Sequence, residues 1–155
     1  MSGGRSTLQT DFGEFSLPVP LQPPVRVLVA EDEPVQALVL RLFLERLGIA
    51  VVQVGNGEQA VEAVRSQQFA MVLMDYVMPV LDGIEATRRI RRWEQTQQGK
   101  RLPIVAVTAS AMTQECERYV EAGMDDVLVK PFAAADLRRV VTRCLWSTGA
   151  CAAAV

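Results

Sequence analysis

Histidine is missing from all 155 residues of this chain. Its absence excludes Ser-His-Asp and Cys-His catalysis, histidine-ligated zinc and any role as a phosphohistidine carrier. Any chemistry performed by the chain must therefore depend on carboxylates, hydroxyls and lysine.

Cysteine is scarce, and long apolar runs are absent. Cys116, Cys144 and Cys151 are odd in number and lack metal-ligand spacing such as CxxC, which predicts reduced thiols in a cytosolic compartment. No apolar run approaches the ~18 residues of a membrane span, and the N-terminus has no signal-peptide pattern. We expect a cytoplasmic, unexported protein with no membrane contact from this chain.

A strong excess of either charge is lacking too. The formal charge of -2 gives no long-range field suited to nucleic acid. There is one local basic stretch, formed by Arg88, Arg89, Arg91, Arg92, Lys100 and Arg101. We expect a solvated helix face and loop there, because a DNA-binding surface usually also needs a recognition helix. No nucleic-acid partner is expected.

The chain divides into three parts. Residues 1–24 are rich in Gly, Ser and Pro, which is typical of a linker. In residues 25–146, strand-like and helix-like segments alternate five times. This pattern predicts an α/β fold with a doubly wound, five-stranded parallel sheet flanked by helices. Residues 147–155 have little to bury and are expected to form a flexible tail.

Capping and stop signals predict several helix boundaries. Asp82 followed by Glu85 resembles a capping box and predicts the start of the third helix. Residues 95–102 are expected to form a polar loop after it. Thr113 is expected to cap the fourth helix, which Gly123 ends.

The first helix is predicted to begin around Pro34 and to end at Gly48. One apolar stripe should face the core: Val39, Leu40, Phe43, Leu44 and Leu47. A second stripe lies beside it: Val35, Leu38 and Leu42. The second stripe is either part of a wide buried face or an exposed docking strip for a partner helix.

Polar side chains stand where four of the predicted strands end: Glu31 and Asp32, Asp75, Thr108, and Lys130. Ligands of such sheets bind outside the carboxyl ends of the strands, so we expect these side chains to meet. Three clustered carboxylates repel one another unless they bind a hard cation, for which Mg²⁺ fits best. A phosphoryl group arriving at Asp75 would be held by the metal, by Lys130 and by Thr108, which predicts an aspartyl phosphate.

Four segments resemble the receiver domain of two-component response regulators: 27–32 (VLVAED), 72–83 (VLMDYVMPVLDG), 105–109 (VAVTA) and 129–132 (VKPF). They follow the family's order. The resemblance implies a flavodoxin-like receiver fold. It also implies that Asp75 is the phosphoryl acceptor, that Thr108 is the switch hydroxyl and that Lys130 binds the phosphate.

The resemblance also implies a metal site and a backbone feature. The implied Mg²⁺ ligands are Asp32, Glu31 through water, Asp75, and the backbone carbonyl of Val77. The peptide bond from Lys130 to Pro131 is expected to be cis. Most receivers carry an aromatic switch residue three positions before the lysine, where this chain has Val127.

Other segments are most similar to receivers fused to hybrid sensor histidine kinases: 83–91 (GIEATRRIR) and 121–126 (EAGMDD). Residues 3–7 and 15–20 are similar to the closing strand of a kinase ATP-binding domain. Residues 1–24 are therefore either a linker or the remnant of a preceding kinase domain. The expected partner is a helical bundle that bears the donor histidine, either the dimerisation helices of a histidine kinase or a histidine phosphotransfer domain. The second stripe of the first helix is expected to contact it, and the oligomeric state is left open.

Other functions remain as alternatives. The chain could be a stand-alone single-domain response regulator or a phosphorylation-independent interaction module. An aspartyl-phosphate phosphatase would carry a DxDxT motif, which is missing at Asp75. Neither GxxxxGK[ST] nor GxGxxG occurs, which disfavours nucleotide or flavin binding. The domain alone is expected to perform no turnover beyond its own phosphorylation and dephosphorylation, whereas a parent chain could be a histidine kinase.

Overall fold

The computed structural model describes residues 25–148, in which strands and helices alternate. The predicted linker or kinase remnant, 1–24, and residues 149–155 of the predicted tail lie outside the described residues. The elements are β1 (Arg26–Ala30), α1 (Pro34–Arg46), β2 (Ala50–Val54), α2 (Gly57–Ser66), β3 (Met71–Asp75), α3 (Gly83–Gln97), β4 (Ile104–Thr108), α4 (Thr113–Ala122), β5 (Asp126–Val129) and α5 (Ala134–Thr148).

The strands form one parallel sheet in the order β2-β1-β3-β4-β5. Val29 of β1 pairs with Gln53 of β2 on one side and with Leu73 of β3 on the other. The strand order therefore reverses at β1, which opens a crevice between the carboxyl ends of β1 and β3. The predicted doubly wound, five-stranded parallel sheet is confirmed.

Both faces of the sheet are covered by helices. On β1, Val27 and Val29 pack into a core with α1 and α5, whereas Leu28 and Ala30 pack into a second core with α2, α3 and α4. The central strands are almost continuously apolar because each of their two faces must be buried. Burial of one such large side chain contributes roughly 1.5–3 kcal/mol, so these two cores hold the strand ends in place.

The predicted start of α3 and the predicted end of α4 are confirmed. The Asp82 carboxylate accepts a hydrogen bond from the backbone N–H of Glu85 at 2.8 Å. Gly123 ends α4 with a φ of 110°, a conformation that side chains with a Cβ rarely adopt.

Three predicted boundaries are wrong. The helix α3 continues to Gln97, because Glu94 is held by Arg91 and by the backbone N–H of Leu102, so the polar loop begins later than residue 95. Thr113 is the first residue of α4, and Met112 precedes it without a side-chain cap. The helix α5 continues to Thr148, so two residues assigned to the tail are helical.

The inner face of α1 also differs from the prediction. Ala37 is fully buried beside Leu40 and Leu44, whereas Val39 is 38% exposed. Ala37, Leu40 and Leu44 follow the helical spacing of three and four residues, and Val39 lies to the side of that line. The second stripe is exposed, at 65% for Val35, 52% for Leu38 and 49% for Leu42, which excludes the wide buried face.

Nearby carboxylates compensate the basic stretch on α3. Arg91 contacts Glu94 at 2.9 Å and Asp125 at 2.8 Å, while Arg88 and Arg89 lie 3.7 Å and 3.6 Å from Glu85. The exposed pairs stabilise the helix only slightly. The contacts of Arg88 and Arg89 agree with the expected solvated helix face, whereas the Arg91 side chain is only 11% exposed and does not.

The close approach of Gly83 to β3 yields a prediction about stability. A Cβ at Gly83 would collide with the carbonyl oxygen of Asp75. Gly83→Ala should lower the free energy of unfolding by roughly 1–3 kcal/mol, measured by urea denaturation. Gly99→Ala is the matched control, because a Cβ there meets nothing within 4 Å. Equal losses in the two variants would contradict this packing argument.

Candidate functional site

Three carboxylates meet at the crevice between β1 and β3. Ala30 and Met74 are paired in the sheet, so the next residues, Glu31 and Asp75, emerge side by side. One carboxylate oxygen from each of Glu31, Asp32 and Asp75 lies within 4.8 Å of the others. The structure therefore brings together the carboxylates that stand at the strand ends in the sequence.

Lys130 reaches this cluster from the end of β5. Its Nζ lies 3.4 Å from Glu31 Oε1 and 3.4 Å from Asp75 Oδ1. Its backbone N–H donates to the carbonyl oxygen of Thr108 at 2.7 Å, which ties the end of β5 to the end of β4. The peptide bond from Lys130 to Pro131 is cis, as expected.

The cluster carries more negative charge than Lys130 can neutralise. Glu31 is 2% exposed and Asp75 is 7% exposed. Burial, and after it the Asp75 carboxylate, raises the pKa of Glu31 to about 7, although Lys130 opposes the rise. Ionising all the carboxylates is therefore costly unless a further positive charge is present.

A divalent cation fits this donor set. Hard cations such as Mg²⁺ prefer carboxylate oxygens and retain several waters. Asp32 is exposed, so the cluster opens to solvent on that side. Glu31, Asp32 and Asp75 are the described residues whose side chains could hold such an ion.

Thr108 ends β4 at the same edge of the sheet and is buried. Its Oγ1 accepts hydrogen bonds from the Tyr119 hydroxyl at 2.9 Å and from the backbone N–H of Ser110 at 3.2 Å. Sequence reasoning missed Tyr119, because an aromatic residue on the inner face of a helix is ordinarily core packing. The sequence offered one signal for Tyr119: it stands three residues before Ala122 on α4, a spacing that puts both side chains on one face of the helix.

The loop after β3 carries Val77. Its side chain is 70% exposed. The backbone N–H of Gly83 donates to the carbonyl oxygen of Tyr76 at 3.0 Å and closes this loop against the end of β3. The assignment of the Val77 carbonyl as a metal ligand stays a prediction.

A cleft of about 490 Å³ joins Lys130 to α1. Its lining residues are Gln36, Val39, Ala109, Lys130, Pro131 and Phe132. Phe132 packs edge-on against Phe43 of α1, with 6.1 Å between the ring centroids. We call the exposed residues Val35, Leu38 and Leu42 the α1 strip. Gln36 and Val39 of α1 line this cleft beside Lys130, and they are neighbours of the α1 strip along the helix.

Among the described residues, no helix combines the length and the apolar character that crossing a membrane requires.

Comparison with known proteins identifies a family and several relatives. The model of the response regulator receiver domain matches residues 27–142. Sensor histidine kinase GacS of Pseudomonas protegens is 42% identical over 118 residues, which cover 76% of this chain and 13% of that protein. The chain thus spans about an eighth of the length of this relative.

Solved structures share the fold. The receiver domain of sensor histidine kinase PA1611 from Pseudomonas aeruginosa, with a magnesium ion coordinated in its active site cleft, is 40% identical. It has a TM-score of 0.72 and covers 80% of this chain and 99% of its own. A second matching structure is the co-crystal structure of the Saccharomyces cerevisiae histidine phosphotransfer protein Ypd1 with the receiver domain of its downstream response regulator Ssk1. The match is 28% identical, with a TM-score of 0.77, and covers 81% of this chain and 92% of that chain. The family match over most of the described residues, on a fold that these receivers share, means that the chain belongs to the response regulator receiver domain family of two-component systems.

Proposed function

We propose that this receiver domain accepts a phosphoryl group on Asp75. The observation that carries the proposal is the convergence of Glu31, Asp32, Asp75 and Lys130 on one crevice. A buried, acceptor-capable carboxylate beside a lysine ammonium suits phosphoryl transfer, because the chemistry depends mainly on positioning and charge stabilisation.

The carboxylate cluster would hold Mg²⁺ through Asp32, Asp75 and Glu31, with Glu31 acting through water and the Val77 carbonyl adding a ligand. When bound, the ion neutralises charge on the carboxylates and on the incoming phosphoryl oxygens. The related PA1611 receiver domain was solved with magnesium in its active site cleft, which supports this choice of ion.

The chain's own residues divide the work of transfer. An Asp75 oxygen forms the new O–P bond as the P–N bond to a donor imidazole breaks. The imidazole, protonated on its other nitrogen, keeps the electron pair and leaves as the neutral ring. The Lys130 ammonium and the Thr108 hydroxyl would hold phosphoryl oxygens as charge builds on them. Because this chain lacks histidine, the donor lies on another domain or another protein.

The acceptor assignment is tested by labelling with acetyl phosphate and Mg²⁺. Wild-type protein should gain one phosphoryl group, detected by intact mass, and Asp75→Asn should gain none. Asp82→Asn is the matched control, because it removes an exposed carboxylate nearby while asparagine still caps α3. Labelling of the Asp75→Asn variant at the wild-type rate would rule out Asp75 as the acceptor.

The metal assignment is tested by thermal unfolding in a Mg²⁺ titration. Mg²⁺ should raise the unfolding temperature of the wild-type protein, because a ligand of the folded state stabilises it. Asp32→Asn should weaken the apparent Mg²⁺ affinity by at least about tenfold, whereas Asp82→Asn should leave it unchanged. If Asp32→Asn responds to Mg²⁺ as the wild-type protein does, Asp32 is not a ligand.

We further propose that the domain works within a hybrid sensor histidine kinase in the cytoplasm. The identity to GacS supports a kinase context. Among the described residues, Cys116 and Cys144 are not joined by a disulfide, which is compatible with a reducing compartment. A stand-alone response regulator is the alternative, and an immunoblot of the native host with an antibody against this domain separates the two by the size of the band.

The α1 strip is the proposed contact for a helical bundle that carries the donor histidine. The strip is apolar and exposed, and its helix neighbours Gln36 and Val39 line the cleft at Lys130, whose Nζ lies 3.4 Å from Asp75 Oδ1. An amphipathic helix that packs on such a strip would bring its histidine to the crevice. The matched Ssk1 receiver domain was crystallised with a histidine phosphotransfer protein, which supports a partner of this kind.

The docking proposal predicts that substitutions in the α1 strip slow phosphotransfer from a protein donor but not from a small-molecule donor. Leu38→Glu combined with Leu42→Glu should slow phosphotransfer from a purified histidine phosphotransfer protein by roughly tenfold or more. Labelling by acetyl phosphate should stay at the wild-type rate. Val120→Glu, on an exposed apolar residue of α4, is the control. Equal loss of both reactions in the α1 variant would refute the docking role.

A further inference from the structure

Tyr119 lies behind the site and contacts Thr108. It is 1% exposed on the inner face of α4. Its hydroxyl lies 2.9 Å from Thr108 Oγ1 and 3.4 Å from the carbonyl oxygen of Ser110. Burial raises the pKa of Tyr119 above its ordinary value, so the phenol keeps its proton at neutral pH.

The hydrogen bonds at Thr108 leave its proton free for a ligand. A hydroxyl has two acceptor lone pairs and one proton to donate. Thr108 Oγ1 accepts from Tyr119 and from the backbone N–H of Ser110. With both lone pairs engaged, the Thr108 proton is available to a third group. The Ser110 carbonyl competes for the Tyr119 proton, but its longer distance favours Thr108.

The ring of Tyr119 is also held against the segment that follows Asp75. It packs edge-on against Tyr76, with 5.4 Å between the centroids and 71° between the planes. The backbone N–H of Tyr76 in turn donates to the carbonyl oxygen of Val107, the neighbour of Thr108. Tyr119 is therefore fixed from two sides, and both contacts lead to the acceptor edge of the sheet.

The core that contains this ring also contains small side chains from β4 and β5. Val127 of β5 pairs with Ala106 and packs against the same core as Tyr119. Both of these side chains are small, and neither carries a hydroxyl. The phenol that reaches Thr108 thus comes from α4 and not from β5.

We propose that Tyr119 is the positioning residue of the phosphoryl site. By donating to Thr108 Oγ1 it holds the Thr108 proton toward an oxygen of the phosphoryl group on Asp75. This inference rests on the proposed function, since it needs a phosphoryl group at Asp75. It adds a residue that acts through Thr108 without touching the phosphoryl group.

A double-mutant cycle tests the inference. Tyr119→Phe keeps the ring and its packing and removes only the hydroxyl. The variant should slow labelling by acetyl phosphate by roughly fivefold, the loss expected for one hydrogen bond. In a Thr108→Val background the same change should have no further effect, because the hydroxyl through which Tyr119 acts is gone. A purely structural role would slow both backgrounds alike.

The outcomes separate this inference from the proposed function. If the wild-type protein is not labelled on Asp75, the proposed function fails first. If it is labelled and Tyr119→Phe reacts at the wild-type rate, or slows both backgrounds equally, only the positioning role is wrong. Circular dichroism and thermal unfolding confirm that each variant is folded.

A measurement on the wild-type protein covers the case in which Tyr119→Phe does not fold. The chain has two tyrosines, so ¹³Cζ-tyrosine labelling gives two NMR signals, which Tyr76→Phe assigns. Addition of Mg²⁺ with beryllium fluoride, a phosphoryl mimic, should move the Tyr119 signal. In Thr108→Val the mimic should still bind while the Tyr119 signal stays in place. An unmoved Tyr119 signal in the wild-type protein overturns the inference.

Discussion

Repulsion between carboxylates at the edge of a parallel sheet is the constraint on which the rest of this structure depends. The pairing of Ala30 with Met74 forces Glu31 and Asp75 to emerge together. Lys130 offsets only part of their charge, and burial together with the Asp75 carboxylate raises the pKa of Glu31. The folded chain therefore holds an arrangement that its own charges disfavour and that a cation or a phosphoryl group with its metal would relieve.

The two apolar cores supply the stability that this arrangement requires. The strand segments that precede the acidic residues are fully buried, so the strand ends cannot move apart without exposing the core. The close approach of Gly83 to the Asp75 carbonyl fixes the loop on the remaining side. Carboxylate repulsion at the acidic site is thus locally destabilising, and the packing of β1 and β3 in the two cores offsets it.

Much of the fold was predictable from sequence, because strands buried on both faces must be apolar nearly throughout. The charged residues at strand ends were predictable for the same reason, since each interrupts an apolar run, as Asp75 does after Met74. Helix boundaries that depend on side-chain contacts were not predictable from the sequence. The last turn of α3 depends also on the hydrogen bond from the backbone N–H of Leu102 to the Glu94 carboxylate, which sequence spacing does not reveal.

Tyr119 illustrates the same limit within the site. In the sequence it is an aromatic residue at a core position of α4, and only the folded chain places its hydroxyl on Thr108. The α1 strip is a comparable case, because a helix with excess apolar residues is compatible with both a buried and an exposed stripe. The packing of Ala37, Leu40 and Leu44 against the sheet decides between them.

The two surroundings proposed to act on the acceptor site, the α1 strip and Tyr119, lie on opposite faces of the sheet. The α1 strip belongs to the helix layer that packs with α5, whereas Tyr119 belongs to the layer of α2, α3 and α4. A donor that docks on α1 would therefore deliver its phosphoryl group without touching the helix that positions Thr108. Because Thr108 is the last residue of β4 and Lys130 follows β5, a phosphoryl group held by both would pull on the two strands that border α4. On these two proposals, the sheet edge would be the physical link between docking on one face and a response on the other.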